Sequence, residues 1–387
     1  MQRSPTESPP RALYWRLSGF YLFYFAVLGA LVPYWSLYLQ DIGFGAAQIG
    51  ELVAILMATK LVAPYVWGWI ADHTGRRIAI IRLASLLATL VFAGVLVDSG
   101  YVWLALVMAG FSFFWNAALP QFEAVTLSHL GAATHRYSGI RLWGSIGFIL
   151  SVAALGWVFE RFGVALLPYV LLALLGAIWL ASLGVPEHVD RVPAPAHEPL
   201  ARVIRRPEVL TLLAVCFLMQ AAHGPYYTFF TLYLEDYGYS RSGIGQLWAL
   251  GVVAEIGVFL VMHRWLPRFG ARQLLLASLA LTTVRWLLIA GYADSLPVIL
   301  IAQTLHAASF GIYHAVSIHL IHQLFVGRNQ GRGQALYSSL SFGAGGAVGS
   351  LAAGYLWVGM GAEWTYAAAA VVSGLAWVVA YRGLRSL

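Results

Sequence analysis

The chain has 387 residues, of which 60% are hydrophobic and only 10% charged, against roughly 25% charged in an ordinary soluble domain. That composition excludes a soluble enzyme or binding module and predicts an all-α polytopic membrane protein. The net charge of +7 is carried by basic residues set between apolar runs, a topology signal rather than a nucleic-acid surface, and the lone cysteine, Cys216, allows neither an intramolecular disulfide nor a multi-cysteine metal site.

Residues 1–16 are polar and proline-rich and read as a cytoplasmic tail; no small-residue cleavage site follows the first apolar run, so no removable signal peptide is expected. An apolar helix needs about 20 residues to cross the hydrocarbon core. Cutting the chain at its charged and Pro/Gly-rich breaks gives twelve such segments, starting near Leu17, Gln48, Ile78, Tyr101, Gly139, Val164, Leu210, Gly243, Gln273, Leu296, Gln334 and Thr365. The stretch "GVPEHVDRVPAPAHEPLARVIRRPE", Gly184 to Glu208, is the one long charged interruption. It divides the segments into bundles over 17–183 and 209–387 joined by a cytoplasmic linker over 184–208. With both termini inside, the arginines from Arg3 and Arg11 through Arg136 and Arg205 to Arg385 fall at cytoplasmic ends, and only Arg161 and Arg241 face out.

The two halves resemble each other. "WSLYLQDIGFGAAQIGEL" from Trp35 and "FTLYLEDYGYSRSGIGQL" from Phe230 share Leu-Tyr-Leu, Asp, Gly, Ile-Gly and Leu in one register, the mark of transporters that rock two related bundles about a central site. In that register Lys60, the only lysine, falls on Glu255.

Five charges lie at membrane depth: Lys60 on the second segment, Glu123 on the fourth, Arg141 on the fifth, Glu255 on the eighth and Arg285 on the ninth. A charge at mid-bilayer costs on the order of 3 kcal/mol even on the lenient insertion scale, so such groups face a bundle interior or an aqueous cavity. Two readings of Lys60 and Glu255 stay open, an ion pair that locks helices and a role in binding or gating. Three cations against two carboxylates leave one surplus positive charge, which a carboxylate substrate would neutralise. On the seventh segment, "QAAHGPYYTFF" from Gln220 places Pro225 beside Gly224, predicting a broken helix with His223, Tyr226 and Tyr227 as a wall for a ring. On the tenth, His306, Ser309, Tyr313 and Ser317 follow the steps of one helix face, and His306 could load and release a proton. His314 and His319 lie off that face, and His322 lies near the cytoplasmic end. The glycines of "SFGAGGAVGS", from Ser341, permit close helix packing. The histidines are too scattered for a metal site, and no Gly-x-Ser-x-Gly, His-Glu-x-x-His or phosphate loop points to an enzyme. No catalytic residue and no cofactor are expected.

"GWIADHTGRR", Gly68 to Arg77, matches the Gly-x-x-x-Asp-x-x-Gly-Arg-Arg signature after the second helix of the major facilitator superfamily, which the chain resembles over its whole length. The resemblance implies that Asp72, Arg76 and Arg77 form a charge relay that gates the cytoplasmic face. The second-half copy, "HRWLPRFGAR", carries Pro267 where Asp72 would be. Within the superfamily, "NAALPQFEAVTLSHLGAATHRYSGIRLWGSIGF", Asn116 to Phe148, resembles the fourth and fifth helices of the lactose permease group. With "RLWGS", "GVVAE", "VRW" and "LH" at Arg141, Glu255, Arg285 and His306, the chain resembles still more the phenylpropionate permease branch. By that resemblance Asn116, Glu123 and Arg141 contact substrate, and Glu255, Arg285 and His306 serve proton coupling. Phe148 stands where the lactose permease stacks a tryptophan on galactose, and Ser309 where it has a proton-carrying glutamate, so lactose itself fits poorly.

The expectation is a proton-coupled symporter of the bacterial inner membrane, monomeric, that imports an aromatic or phenylpropionate-like carboxylate and is driven by the proton gradient alone. A sugar or nucleoside symporter is the alternative. A drug antiporter is disfavoured by the missing proline of its fifth-helix motif. In this reading protonation of Glu255, or of Glu123, frees a cation, and Lys60 or Arg141 then binds the substrate carboxylate.

Overall fold

A computed structural model of the chain describes residues 11–187, 199–327 and 329–385. Arg3, Arg191 and most of the expected linker, 188–198, lie outside these residues. Apolar runs of membrane-spanning length leave a backbone no choice but to bond within itself, and the described chain is helical with no strand. Its rods are α1 (Arg11–Asp41), α2 (Ala46–Thr74), α3 (Arg77–Leu96), α4 (Tyr101–Leu130), α5 (Tyr137–Phe162), α6 (Val164–Leu183), α7 (Pro207–Asp236), α8 (Arg241–Phe269), α9 (Ala271–Gly291), α10 (Leu296–Leu324) and α12 (Ala362–Gly383), each long and apolar enough to cross a membrane. Between the last two runs α11, residues 329–360, a Gly- and Ser-rich rod. The result is two six-helix bundles.

The duplication seen in the sequence is written into the turns. Every positive-φ residue among those described is a glycine, and the eight fall into four pairs: Gly43 with Gly238, Gly75 with Gly270, Gly131 with Gly327, and Gly163 with Gly361. Each pair closes the same corner of its bundle, where only a residue without Cβ turns freely into the left-handed region.

Four rods are interrupted near the middle of their length. In α2 the α-helix stops at Ala58, passes through a 3-10 turn, Thr59–Leu61, and restarts at Ala63. Pro64 is the cause: it has no N–H to give the carbonyl four residues back, which belongs to Lys60. That carbonyl instead accepts from the Ser339 hydroxyl of α11 at 3.2 Å. Pro225 acts likewise in α7, which breaks at His223. In α10 and α11 the irregularity is a π-helical stretch, Ala307–Ile312 and Ser339–Gly345 respectively.

The bundles meet along glycine-lined seams. A Cβ on Gly50 of α2 would lie 2.7 Å from the Ser350 carbonyl oxygen of α11, and one on Gly156 of α5 would lie 2.5 Å from the Arg241 carbonyl oxygen of α8. Tyr34 Oη donates to the Val152 carbonyl beside that second contact at 2.7 Å. Polar clasps add to them: Glu51 accepts from Tyr101 and from Tyr355 of the other bundle, and Glu160 accepts from the Ser242 amide at 2.9 Å. All lie toward the side away from Arg11 and Gly383. Toward the chain ends, α4 and α5 make no comparable contact with α10 and α11 among the described residues.

Candidate functional site

In the first bundle the break in α2 delivers Lys60, half-buried, to the middle of the molecule. Its Nζ lies 3.4 Å from Met57 Sδ, and among the described residues it has no carboxylate within ion-pair distance. One residue back, the Thr59 hydroxyl accepts from Asn116 Nδ2 at 2.9 Å and lies 2.9 Å from Ser112 Oγ. Glu123 of α4 accepts from Tyr137 Oη at 3.2 Å. Arg141 of α5 stacks over the Phe25 ring at 3.8 Å rather than pairing directly with Glu123.

In the second bundle Arg285 is fully buried. Its donors go to the Ala302 carbonyl at 2.9 Å, Ser309 Oγ at 2.8 Å and Gln303 Oε1 at 3.1 Å, and its guanidinium lies over the Tyr226 and Trp286 rings at 4.2 and 4.7 Å. All three hydrogen-bond acceptors are neutral, so the cation is held by dipoles and π faces. Gln303 also donates to Tyr226 Oη at 3.2 Å and to the Leu247 carbonyl at 2.9 Å, which fixes the tyrosine beside the break in α7. Tyr227 stacks on His223 at 5.6 Å between ring centroids. Glu255 lies 3.6 Å from His306 Nε2.

These contacts correct several expectations. Lys60 and Glu255 occupy equivalent positions of the repeat but form no ion pair; the partner of Glu255 is His306. Equivalence under the repeat fixes depth, not contact. The stripe of His306, Ser309, Tyr313 and Ser317 does not line one open face: Ser309 bonds Arg285, Tyr313 donates to the Cys216 carbonyl at 3.3 Å, and Cys216 Sγ lies 3.7 Å from Ser317 Oγ. The π stretch after His306 widens the turn, and a different set aligns. His306, Phe310 and His314 form a column with ring centroids 5.6 Å apart and planes within 10°. His314, read as off the face, is thus in line, bonded through Nδ1 to Tyr337 Oη at 3.0 Å.

Of the signature loop, Arg77 binds both Asp72 at 2.6 Å and Gln121 at 2.5 Å, while the Arg76 side chain stays exposed and outside the cluster. In the second-half copy Arg272 instead donates to the Tyr381 carbonyl at 3.0 Å. Phe148 packs at the seam of α1 and α5, where its carbonyl faces Gly29. Sequence reading passed over Thr59, Ser112, Gln121, Tyr137 and Gln303. Their signal was present: each is a polar or hydroxyl-bearing side chain at or beside an apolar run, a placement that demands a partner.

A fold of this geometry is found among solved transporters: the crystal structure of the nucleoside transporter NupG superposes with a TM-score of 0.79 at 16% identity, covering 96% of this chain and 98% of that one. In sequence the chain is 31% identical over 373 residues to the "Probable 3-phenylpropionic acid transporter" of Escherichia coli (strain K12), covering 92% of this chain and 95% of the relative. It is 29% identical to the "Maltose permease" of Geobacillus stearothermophilus over 88% of each. The model of the MFS_1 like family matches residues 14–368, and with two six-helix bundles around a buried charged centre, the chain belongs to that family and is a multi-pass transporter of the major facilitator type.

Proposed function

We propose that the protein is a proton-coupled symporter that imports a small aromatic or phenylpropionate-like carboxylate across the inner membrane of a bacterium, as a monomer. The observation that carries this reading is the half-buried Lys60 ammonium, which meets a thioether and no carboxylate. An uncompensated cation at membrane depth is costly, and an anionic substrate would offset that cost each time it binds. The name of the 31%-identical relative, a probable carrier of a phenyl-bearing acid, supports the same class.

In this mechanism Lys60 and Arg141 take the carboxylate, Arg141 through its two-pronged guanidinium, with Asn116 and Glu123 beside them. Tyr226, Tyr227 and Phe148 bound the apolar body. Glu255 carries the proton, with His306 Nε2 3.6 Å away, Glu123 as second site and Arg285 holding the surrounding dipoles in place. Asp72 and Arg77, with Arg76 beside them, gate the face bearing the chain ends. The arginine distribution supports a cytoplasmic assignment of that face, and on that reading the present arrangement is inward-open. Substrate and proton load from outside, the bundles rock about the break in α2, and proton loss inside releases the acid.

The test is uptake into proteoliposomes under an imposed inward proton gradient, comparing labelled 3-phenylpropionate with maltose, each with and without uncoupler. Accumulation of the acid, abolished by uncoupler, is expected. Accumulation of maltose alone would overturn the proposal and favour the sugar symporter suggested by the second relative.

A further inference from the structure

On the side of the chain ends, each bundle has a corner where the start of one helix meets the end of another, α3 with α6 in the first and α9 with α12 in the second. The first corner is closed by the chain's own carboxylate. Glu187, just past α6, accepts from the Ile78 amide in the first turn of α3 through both oxygens, at 3.0 and 3.1 Å. Beside it Arg82 donates to the Ser182, Leu183 and Val185 carbonyls at the end of α6. The second corner repeats this geometry and inverts the charge. Arg272, in the first turn of α9, donates to the Tyr381 carbonyl in the last turn of α12 at 3.0 Å. Glu187 stands 24 residues past the corner glycine Gly163, and the residue 24 past its pair, Gly361, is Arg385. Arg272 Cζ lies 5.5 Å and Arg385 Cζ 5.7 Å from the centroid of the Tyr381 ring, which is 45% exposed and stacked on Trp377 one turn back. Neither arginine has a carboxylate within ion-pair distance among the described residues. Beyond residue 207 the sequence places only Glu208 at this end of the bundle; Glu255 is at mid-helix, and Glu235, Asp236, Asp294 and Glu363 are at the opposite end.

We propose that the corner of α9 and α12 binds the phosphate of an anionic phospholipid, with Arg272 and Arg385 as its ligands. Topology alone asks for arginines at this end of the chain; it does not ask for two of them over one ring. Two like charges held on one π face repel each other, and an anion between them removes that repulsion. Phosphate suits the pair, because each guanidinium can meet its oxygens with two parallel N–H donors. The first bundle shows what the corner needs, since there the chain folds its own carboxylate back onto it; in the second bundle the equivalent position is an arginine, and the anion has to come from outside. A lipid fits better than a soluble anion. The exposed Tyr381, stacked on Trp377, has the composition of a membrane-interface anchor, and Val371, Leu375 and Val378 of the same helix are exposed for acyl chains to cover. On the cytoplasmic assignment of this side, the facing leaflet is also the one that carries anionic headgroups. The site is separate from the charged centre, so it stands or falls independently of the transport reading.

The experiment titrates the purified transporter in detergent with phosphatidylglycerol, or with phosphatidylcholine of the same acyl chains, and counts retained lipid by native mass spectrometry. The wild-type protein is expected to hold one phosphatidylglycerol about 25-fold more tightly than phosphatidylcholine, the worth of two arginines near a charged headgroup. Arg385→Ala, which removes no hydrogen bond seen in the structure, should weaken that binding about fivefold at an unchanged unfolding midpoint. Arg385→Glu supplies the carboxylate that Glu187 gives the first bundle, and should abolish the preference for the anionic lipid. Arg332→Ala, at the exposed start of α11, should leave it unchanged. Equal retention of the two lipids overturns the site, and so does a preference that survives both substitutions of Arg385. A loss with Arg332→Ala equal to that with Arg385→Ala would show diffuse surface charge instead of a site. Displacement of phosphatidylglycerol by inorganic phosphate at equal concentration would make the occupant a soluble anion and overturn the lipid assignment.

Discussion

Lys60 meets a thioether where a soluble protein would offer a carboxylate, and its near neighbours Thr59, Asn116 and Ser112 form a neutral hydrogen-bonded set. Removing the ammonium therefore breaks no ion pair in the resting protein. Lys60→Ala is expected to keep the fold, read as an unchanged unfolding midpoint, while weakening substrate binding 10- to 100-fold, about the 1.5–3 kcal/mol of a hydrogen bond to a charged group. Uptake at normal rates would rule the lysine out. Glu255 makes the complementary case. Glu255→Gln keeps the volume beside His306 but cannot ionise, so accumulation against a gradient should be lost while downhill exchange of labelled acid continues; retained accumulation would move the proton to Glu123 or His306. The residue types at the site were legible because charge inside an apolar run is rare and expensive. Their pairings were not, because the repeat relates positions by rotation, and the Glu255 partner comes from α10 of its own bundle.

Helix breaks divide into those a sequence announces and those it hides. Pro225 and Gly224 announce the break in α7, and Pro64 announces the one in α2 by depriving the Lys60 carbonyl of its helical donor. The freed carbonyl then anchors Ser339 across the interface. Pro64→Ala would restore that donor and set it in competition with Ser339. Turnover is expected to fall at least about fivefold with little change in affinity, measured as kcat against KM, because the substituted position alters the pivot and touches no ligand. Equal loss in both constants would argue against the pivot. The π stretches of α10 and α11 carry no such announcement. One inserted residue in a run of Ala, Ser, Phe and Gly leaves composition and hydropathy unchanged, yet it turned His314 into line with His306 and Ser309 toward Arg285.

Taken as a whole, the molecule is closed on one side by backbone contact and open on the other. Gly50 and Gly354 let α2 and α11 touch, since a Cβ on Gly50 would lie 2.8 Å from Gly354 Cα. Gly50→Val cannot be absorbed by a rotamer change because the obstruction is main chain, and overpacking of this kind costs about 1–3 kcal/mol. The seam is expected to part, with transport lost and amide hydrogen exchange accelerated over 46–56 and 346–360; normal exchange there would show that the seam tolerates bulk. Two bundles, twelve segments and the duplicated corners were readable from length and repetition, whereas the side left open was not, because it depends on which glycine seams are engaged. A further property follows from a molecule-wide scarcity of one residue type. With a single lysine, the protein has one side-chain amine, so reductive methylation with carbon-13 places one methylammonium probe on a side chain at its centre. Its NMR resonance would report substrate arrival, proton loading and the change of access directly, without engineering a label into the transporter.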